Sequence, residues 1–254
     1  MKIYVISIEE ENSPRLSKFL SQNFFEQGNL PITRVGIKGG DLSAKEYFER
    51  AVKGRETPLT PGELGCTLSH LKALQFFLDT DDQYALILED DAIFPSDLTY
   101  EILEKQIESA HLPSKTLLSL GGIQMKESRK VRGNFKEENF LNKKILEVIP
   151  DYFHRVNYAM AYIVDRDMAK VLLAYHQPLR RADDWSYLFD FDSQVHLLMT
   201  YIVDHPVIQK GEKNQELSAI EAERVDATSL KKSKYGTGIR RNLAKLFSQL
   251  YSNK

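Results

Sequence analysis

An apolar run, Tyr84-Ala85-Leu86-Ile87-Leu88, stops abruptly at three adjacent carboxylates, Glu89, Asp90 and Asp91. A short stretch with no polar interruption predicts a strand buried on both faces, the kind found at the centre of an α/β sheet. Three acids at the end of such a strand repel one another. They become favourable when a divalent cation, or hydroxyls that donate hydrogen bonds, sits among them. Side chains alternate along a strand, so Glu89 and Asp91 are expected on one side and Asp90 on the other. The plainer alternative is a solvated acidic turn that closes the strand.

The flanking sequence repeats the strand–helix alternation. Residues 2–8 predict a first buried strand, and Ser13-Pro14 starts a helix that turns Leu16, Phe19 and Leu20 inward, because proline costs little at the first helical position. Residues 31–37 predict a second strand, ended by Gly36, Gly39 and Gly40, with a short amphipathic helix following in 42–55. Thr60 and Glu63 have capping-box spacing, and the helix they open runs to Leu78 with Leu64, Leu68, Leu71 and Leu74 on one stripe. Further strands are expected at 116–120, 158–164 and 198–203, with Asp165 capping a helix. The polar stretch 121–151 predicts a long mobile excursion with a short strand at 145–149. The pattern is that of an α/β domain with a mostly parallel central sheet, assigned to residues 1–226.

Residues 227–254 differ in character. They contain seven basic residues and no acid, and Ile239, Leu243, Leu246, Phe247, Leu250 and Tyr251 recur at helical spacing. A basic amphipathic helical tail of this kind either lies on an anionic membrane surface or packs its stripe on the domain. The net charge of −2 argues against general nucleic-acid binding. The N-terminal run meets Glu9, Glu10 and Glu11 where a cleavage region would lie, and no apolar stretch approaches the ~20 residues of a membrane span. The single cysteine, Cys66, cannot form an internal disulfide, and no Cys/His cluster shows zinc spacing. These features favour a cytoplasmic setting, with the tail the one candidate for peripheral contact with the inner face of the cytoplasmic membrane.

Several blocks together resemble the bacterial lipooligosaccharide glycosyltransferases of glycosyltransferase family 25, typically β-1,4-galactosyltransferases. They are Ile3-Tyr4-Val5-Ile6-Ser7-Ile8-Glu9 with Arg15, then Leu59 to His70, and then Leu86 to Ala92. Tyr158 to Tyr162, Ala182-Asp183-Asp184-Trp185 and His205-Pro206-Val207-Ile208-Gln209 follow in the expected order. The resemblance implies a GT-A-like nucleotide-sugar-binding fold, a UDP-sugar donor and a lipooligosaccharide or lipopolysaccharide acceptor. It also implies a Mn²⁺ or Mg²⁺ cofactor at the acidic triplet. By that analogy Asp91 contacts the metal, Glu89 helps through water, and Asp90 meets the ribose.

His205, after an apolar strand, is the candidate second protein ligand, and imidazole suits Mn²⁺ better than Mg²⁺. The alternative is a hydrogen-bonded loop histidine. Ser7 and Ile8 are expected near the uracil, Arg15 at base or phosphate, and Gln209 beside the diphosphate. Ser69 and His70 either face the nucleotide or fix the neighbouring loop. An inverting transfer needs a general base on a different segment from the metal motif. Asp184 is the first choice and Asp183 the second, with Trp185 as a platform for a sugar ring, against the alternative that either aspartate caps a helix. The expected function is therefore a metal-dependent inverting hexosyltransferase using UDP-galactose. The alternatives are a metal-dependent phosphohydrolase or nuclease built on the same acids, or a non-catalytic relative that binds a UDP-sugar.

Overall fold

The computed structural model describes residues 1–26, 30–126, 128–206 and 238–251. Nine strands form one sheet in the order β2-β1-β3-β7-β4-β8-β6-β5-β9. In chain order they are β1 Lys2–Ile6, β2 Ile32–Val35, β3 Tyr84–Glu89, β4 Thr116–Ser119 and β5 Arg132–Phe140. The remainder are β6 Lys143–Val148, β7 Ala161–Asp165, β8 His196–Met199 and β9 Gln249–Leu250. The helices are α1 Pro14–Leu20, α2 Ala44–Tyr47, α3 Pro61–Leu78, α4 Tyr100–Ser109, α5 Arg166–Tyr175, α6 Leu188–Phe191 and α7 Gly238–Leu246.

The central strand behaves as its composition demands. Ala85 and Ile87 enter one core with Leu71, Leu74 and Phe77 of α3 and Met168 and Leu172 of α5. Leu86 and Leu88 enter the opposite core with Leu16 and Phe19 of α1 and Leu103 and Ile107 of α4. All four are fully buried, and each of the three larger side chains contributes about 2 kcal/mol by leaving water. The expected helix starts hold as well. Ser13, Thr60 and Asp165 accept from the backbone N–H of Leu16, Glu63 and Met168, and Glu63 completes the capping box.

The sheet corrects the mostly parallel expectation. β1 pairs in parallel with β2 and β3, and β4 with β8, but the other five pairings among the described residues are antiparallel. The decisive insertion is β7, which runs antiparallel between β3 and β4. Its residues read as a buried apolar run whatever their direction, so sequence pattern alone does not reveal the reversal.

The stretch 121–151 is corrected too. It holds the β5–β6 hairpin, closed through Leu141 and Asn142 at positive φ. The outward side chains of β5 are polar and exposed, which disguised a strand as a loop. Part of the tail also joins the sheet. β9 pairs with β5, Arg132 donates to the carbonyls of Lys245 and Ser248, and the Tyr251 hydroxyl accepts from the backbone N–H of Tyr201. The proposed domain boundary at 226 lies outside the described residues.

Candidate active site

The topology collects a set of polar side chains at one sheet edge. β1, β2, β3, β4 and β8 share a direction, and β7 opposes them. The ends of the first five therefore meet the start of β7, and this is the edge where open α/β sheets bind ligands. Close packing fixes the first turn. A Cβ on Gly36 would stand 2.0 Å from the Ser7 carbonyl oxygen, and one on Gly39 1.8 Å from that of Pro61. These glycines serve backbone contact between segments.

Glu89 ends β3, whereas Asp90 and Asp91 already form a turn. The simple alternation expected for the triplet therefore fails after its first member. Each carboxylate instead finds its own partners. Asp90 accepts from the Ser7 hydroxyl at 2.6 Å and from Arg15 Nε at 2.8 Å. Arg15 also reaches Asp91 Oδ2 at 3.2 Å, so it bridges the two aspartates and is committed to them. Burial pushes the Asp90 carboxyl above its ordinary value despite Arg15 and Ser7. Burial acts the same way on Asp91, but there the hydrogen bond and charge of His205, with Arg15 beside it, hold the carboxyl below the ordinary value.

The placement of His205 follows from one backbone bridge. Ile93, two residues after Asp91, exchanges both backbone hydrogen bonds with Asp204, at 2.9 and 2.8 Å. His205 Nε2 then lies 3.4 Å from Asp91 Oδ2, and Nδ1 lies 2.8 Å from the Pro206 carbonyl oxygen. With Nδ1–H donated to that carbonyl, Nε2 is the atom presented to Asp91. Burial lowers the His205 imidazole, but Asp91 outweighs it and holds the group above its ordinary value. Asp91 Oδ1 is buried with no hydrogen-bond partner. A buried carboxylate with one oxygen unpartnered and the other 3.4 Å from an imidazole nitrogen suits a divalent cation, and an oxygen–nitrogen donor set fits Mn²⁺ better than Mg²⁺. A cavity of about 610 Å³ is lined by Ile93, Phe94, Pro95, Leu98, Tyr201 and Asp204, and neither Asp91 nor His205 is among its lining residues.

Glu89 is directed elsewhere. Its Oε1 lies 3.3 Å from His70 Nε2 and 4.0 Å from Cys66 Sγ, while His70 Nδ1 meets the Tyr162 hydroxyl at 2.9 Å. Burial pushes the Tyr162 phenol well above its ordinary value. Cys66 and His70, whose spacing matched no zinc motif in the sequence, are brought together with Glu89 by the fold. The signal was present as the four-residue spacing of Cys66 and His70 on a helix. Ser69 is fully buried, donating to the Gly65 carbonyl at 2.7 Å and accepting from the Ile37 N–H at 2.8 Å. It fixes the loop after β2 and does not face the cleft. Ser7 is likewise spent on Asp90 and on the Glu9 N–H. Ile8 is exposed at the strand end, and Gln209 lies outside the described residues.

The second acidic pair is held differently. Asp183 Oδ2 accepts from the Tyr158 N–H at 3.3 Å, and the Tyr158 ring sits 5.8 Å from that of His205. Tyr158 adopts φ +72°, a left-handed conformation costly for an aromatic residue. The sequence pattern places it at the start of an expected strand, 158–164, but that strand begins at Ala161 and Tyr158 lies in the segment before it. Asp184 Oδ1 accepts from the Ser186 N–H at 3.2 Å, closing its own turn. Neither aspartate caps α6, whose N-cap is Tyr187 with no side-chain cap bond. Trp185 is buried in the core, edge-on to Tyr162, so it offers no sugar platform.

The sequence profile of glycosyltransferase family 25, described as LPS biosynthesis proteins, matches residues 1–187. The chain belongs to glycosyltransferase family 25. No curated protein sequence matches it. This family-25 protein is thus a glycosyltransferase of LPS biosynthesis, acting with a sugar donor and an oligosaccharide acceptor. The matched region takes in the acidic triplet, the Cys66–His70 segment and Asp183-Asp184, whereas His205 lies beyond it. Among the described residues no helix is long and apolar enough to cross a membrane.

Proposed function

We propose that the protein transfers galactose from UDP-galactose, with inversion, to a hydroxyl of the LPS or lipooligosaccharide acceptor. One observation carries the proposal: the buried Asp91–His205 pair, with Asp91 Oδ1 lacking a hydrogen-bond partner at the ligand-binding edge of the sheet. Asp91 and His205 would hold Mn²⁺, or less suitably Mg²⁺. The chemistry such a cation would supply is neutralisation of charge on the departing diphosphate. Arg15 bridges Asp90 and Asp91 and fixes their carboxylates.

Asp183 takes the proton from the acceptor hydroxyl. It is preferred to Asp184 because its bond to Tyr158 ties it to the loop against His205, whereas Asp184 is occupied with the Ser186 turn. The test is a donor panel with purified protein and delipidated acceptor, with Mn²⁺ or chelator, reading uridine diphosphate release and product anomeric configuration. Acceptor-dependent, chelator-sensitive release greatest with UDP-galactose supports the assignment. Equal release from every donor, or retention of configuration, overturns it.

The same protein is proposed to contact anionic lipid through α7. Ile239, Leu246 and Phe247 are 79%, 76% and 80% exposed, so this part of the stripe is left unpacked although Tyr251 packs on the domain, and Arg240, Arg241 and Lys245 flank it. Removal of residues 238–251 is expected to lower binding to phosphatidylglycerol vesicles at low salt. Equal binding with and without the segment sinks this role.

A further inference from the structure

Cys66 and His70 stand one turn apart on α3, so their side chains leave the same face of the helix. That face meets the end of β3. His70 Nε2 is 3.3 Å and Cys66 Sγ 4.0 Å from the same oxygen, Glu89 Oε1, and the three ligand atoms all lie within 4.8 Å of one another. Nitrogen and oxygen ligands of a tetrahedral zinc ion, each about 2 Å from it, are separated by about 3.3 Å, with a thiolate slightly farther out. The observed spacing therefore matches ligands gathered around one ion, with only Cys66 required to move in.

The surroundings suit such an ion as well. The Tyr162 hydroxyl holds His70 Nδ1 at 2.9 Å. A phenol can give or accept that bond, so the ring stays aimed at Glu89 in either tautomer, as the outer partner of a metal-bound histidine does. Cys66 and Glu89 are only partly buried, which leaves an entry path and room for water as a fourth ligand. Thiolate with imidazole selects zinc-class ions, whereas magnesium prefers an all-oxygen shell.

We propose that Cys66, His70 and Glu89 form a binding site for a zinc-class divalent cation, distinct from the pair formed by Asp91 and His205. The bound ion would fasten α3 to the last residue of β3, directly before the turn that carries Asp90 and Asp91. The proposal does not rest on the catalytic assignment, because it uses a different ligand set.

Metal-free full-length protein titrated with Co²⁺ tests it, because only a thiolate ligand gives the near-ultraviolet sulfur-to-cobalt absorption. The expected result is a band that saturates at one Co²⁺ per chain and is displaced by Zn²⁺ but not by Mg²⁺. The band should be absent in Cys66→Ser and retained in Asp91→Asn. Tyr162→Phe is expected to weaken binding about tenfold. No band in the unaltered protein overturns the proposal without recourse to any variant, and so does a band that survives in Cys66→Ser. Loss of the band in Asp91→Asn would make the two sites one and end the claim of a separate site. Cobalt at Asp91 and His205 produces no such band, so failure here and failure of the catalytic assignment are read independently.

Discussion

The fold treats its two acidic runs in opposite ways. In the run 89–91 each carboxylate is given partners from a different element: α3 supplies His70, α1 supplies Arg15, and the segment after β8 supplies His205. Asp90 and Asp91 are buried, and their environments push one carboxyl up and hold the other down. In the run 183–184 both side chains are half-buried and accept from backbone N–H groups. Buried carboxylates need positive partners, and Arg15 and His205 supply them here. Among the described residues, the half-buried pair has only neutral backbone donors beside it. Adjacency in sequence thus says little about shared chemistry.

The largest expected effect sharpens the contrast from the first side. Asp91→Asn keeps the shape but removes the charge facing His205, and turnover should fall by about 10³-fold or more, as when metal-held charge stabilisation is lost. Uridine diphosphate affinity in the presence of Mn²⁺, measured by calorimetry, should fall with it. If Asp90→Asn loses as much, the division of labour within the run is wrong.

From the second side, Asp183→Asn should lower kcat by about 10²- to 10³-fold with KM nearly unchanged, the signature of a lost general base. Nucleotide affinity should be preserved. A larger loss in Asp184→Asn would return the base to that residue.

The contrast was half legible in the sequence. A five-residue apolar run identified β3, and Ser13, Thr60 and Asp165 named three helix starts, because these signals are local and their physics is settled within one turn. The direction of β7 was not legible, since an apolar run reads alike either way. The β5–β6 hairpin was hidden by its polar outer face. Arg15, placed near the nucleotide by analogy, proves to be the partner of the acidic pair, and Trp185 proves to be core. Both depend on which distant segment packs against them, as does the Ile93–Asp204 bridge that delivers His205.

A third prediction concerns what lies behind the second run. His176 is buried at the C-cap of α5, and burial with Arg180 lowers its imidazole to about 4, partly offset by Asp183. The unfolded chain binds this proton near pH 6.5, whereas the folded chain resists it until about pH 4. Protons in that window therefore favour unfolding. Stability should fall by up to about 3 kcal/mol as pH drops from 6.5 to 4. Denaturant melts of His176→Gln across this range should show a shallower slope, and an unchanged slope would remove His176 from the account.

The smallest effect tests whether the second run is two independent groups. Asp184 Oδ1 accepts one bond, from the Ser186 N–H, while the Tyr175 hydroxyl donates to the Asp184 backbone carbonyl, which any substitution retains. Asp184→Ala therefore removes one turn-closing hydrogen bond and should cost about 1 kcal/mol of stability, read from the denaturant midpoint. Turnover should stay within about threefold of the parent, because the Tyr158–Asp183 bond does not involve this side chain. A loss as deep as that of Asp183→Asn would mean that the two carboxylates hold one proton jointly. The second run would then be a coupled device like the first, and the difference between them would be one of burial alone.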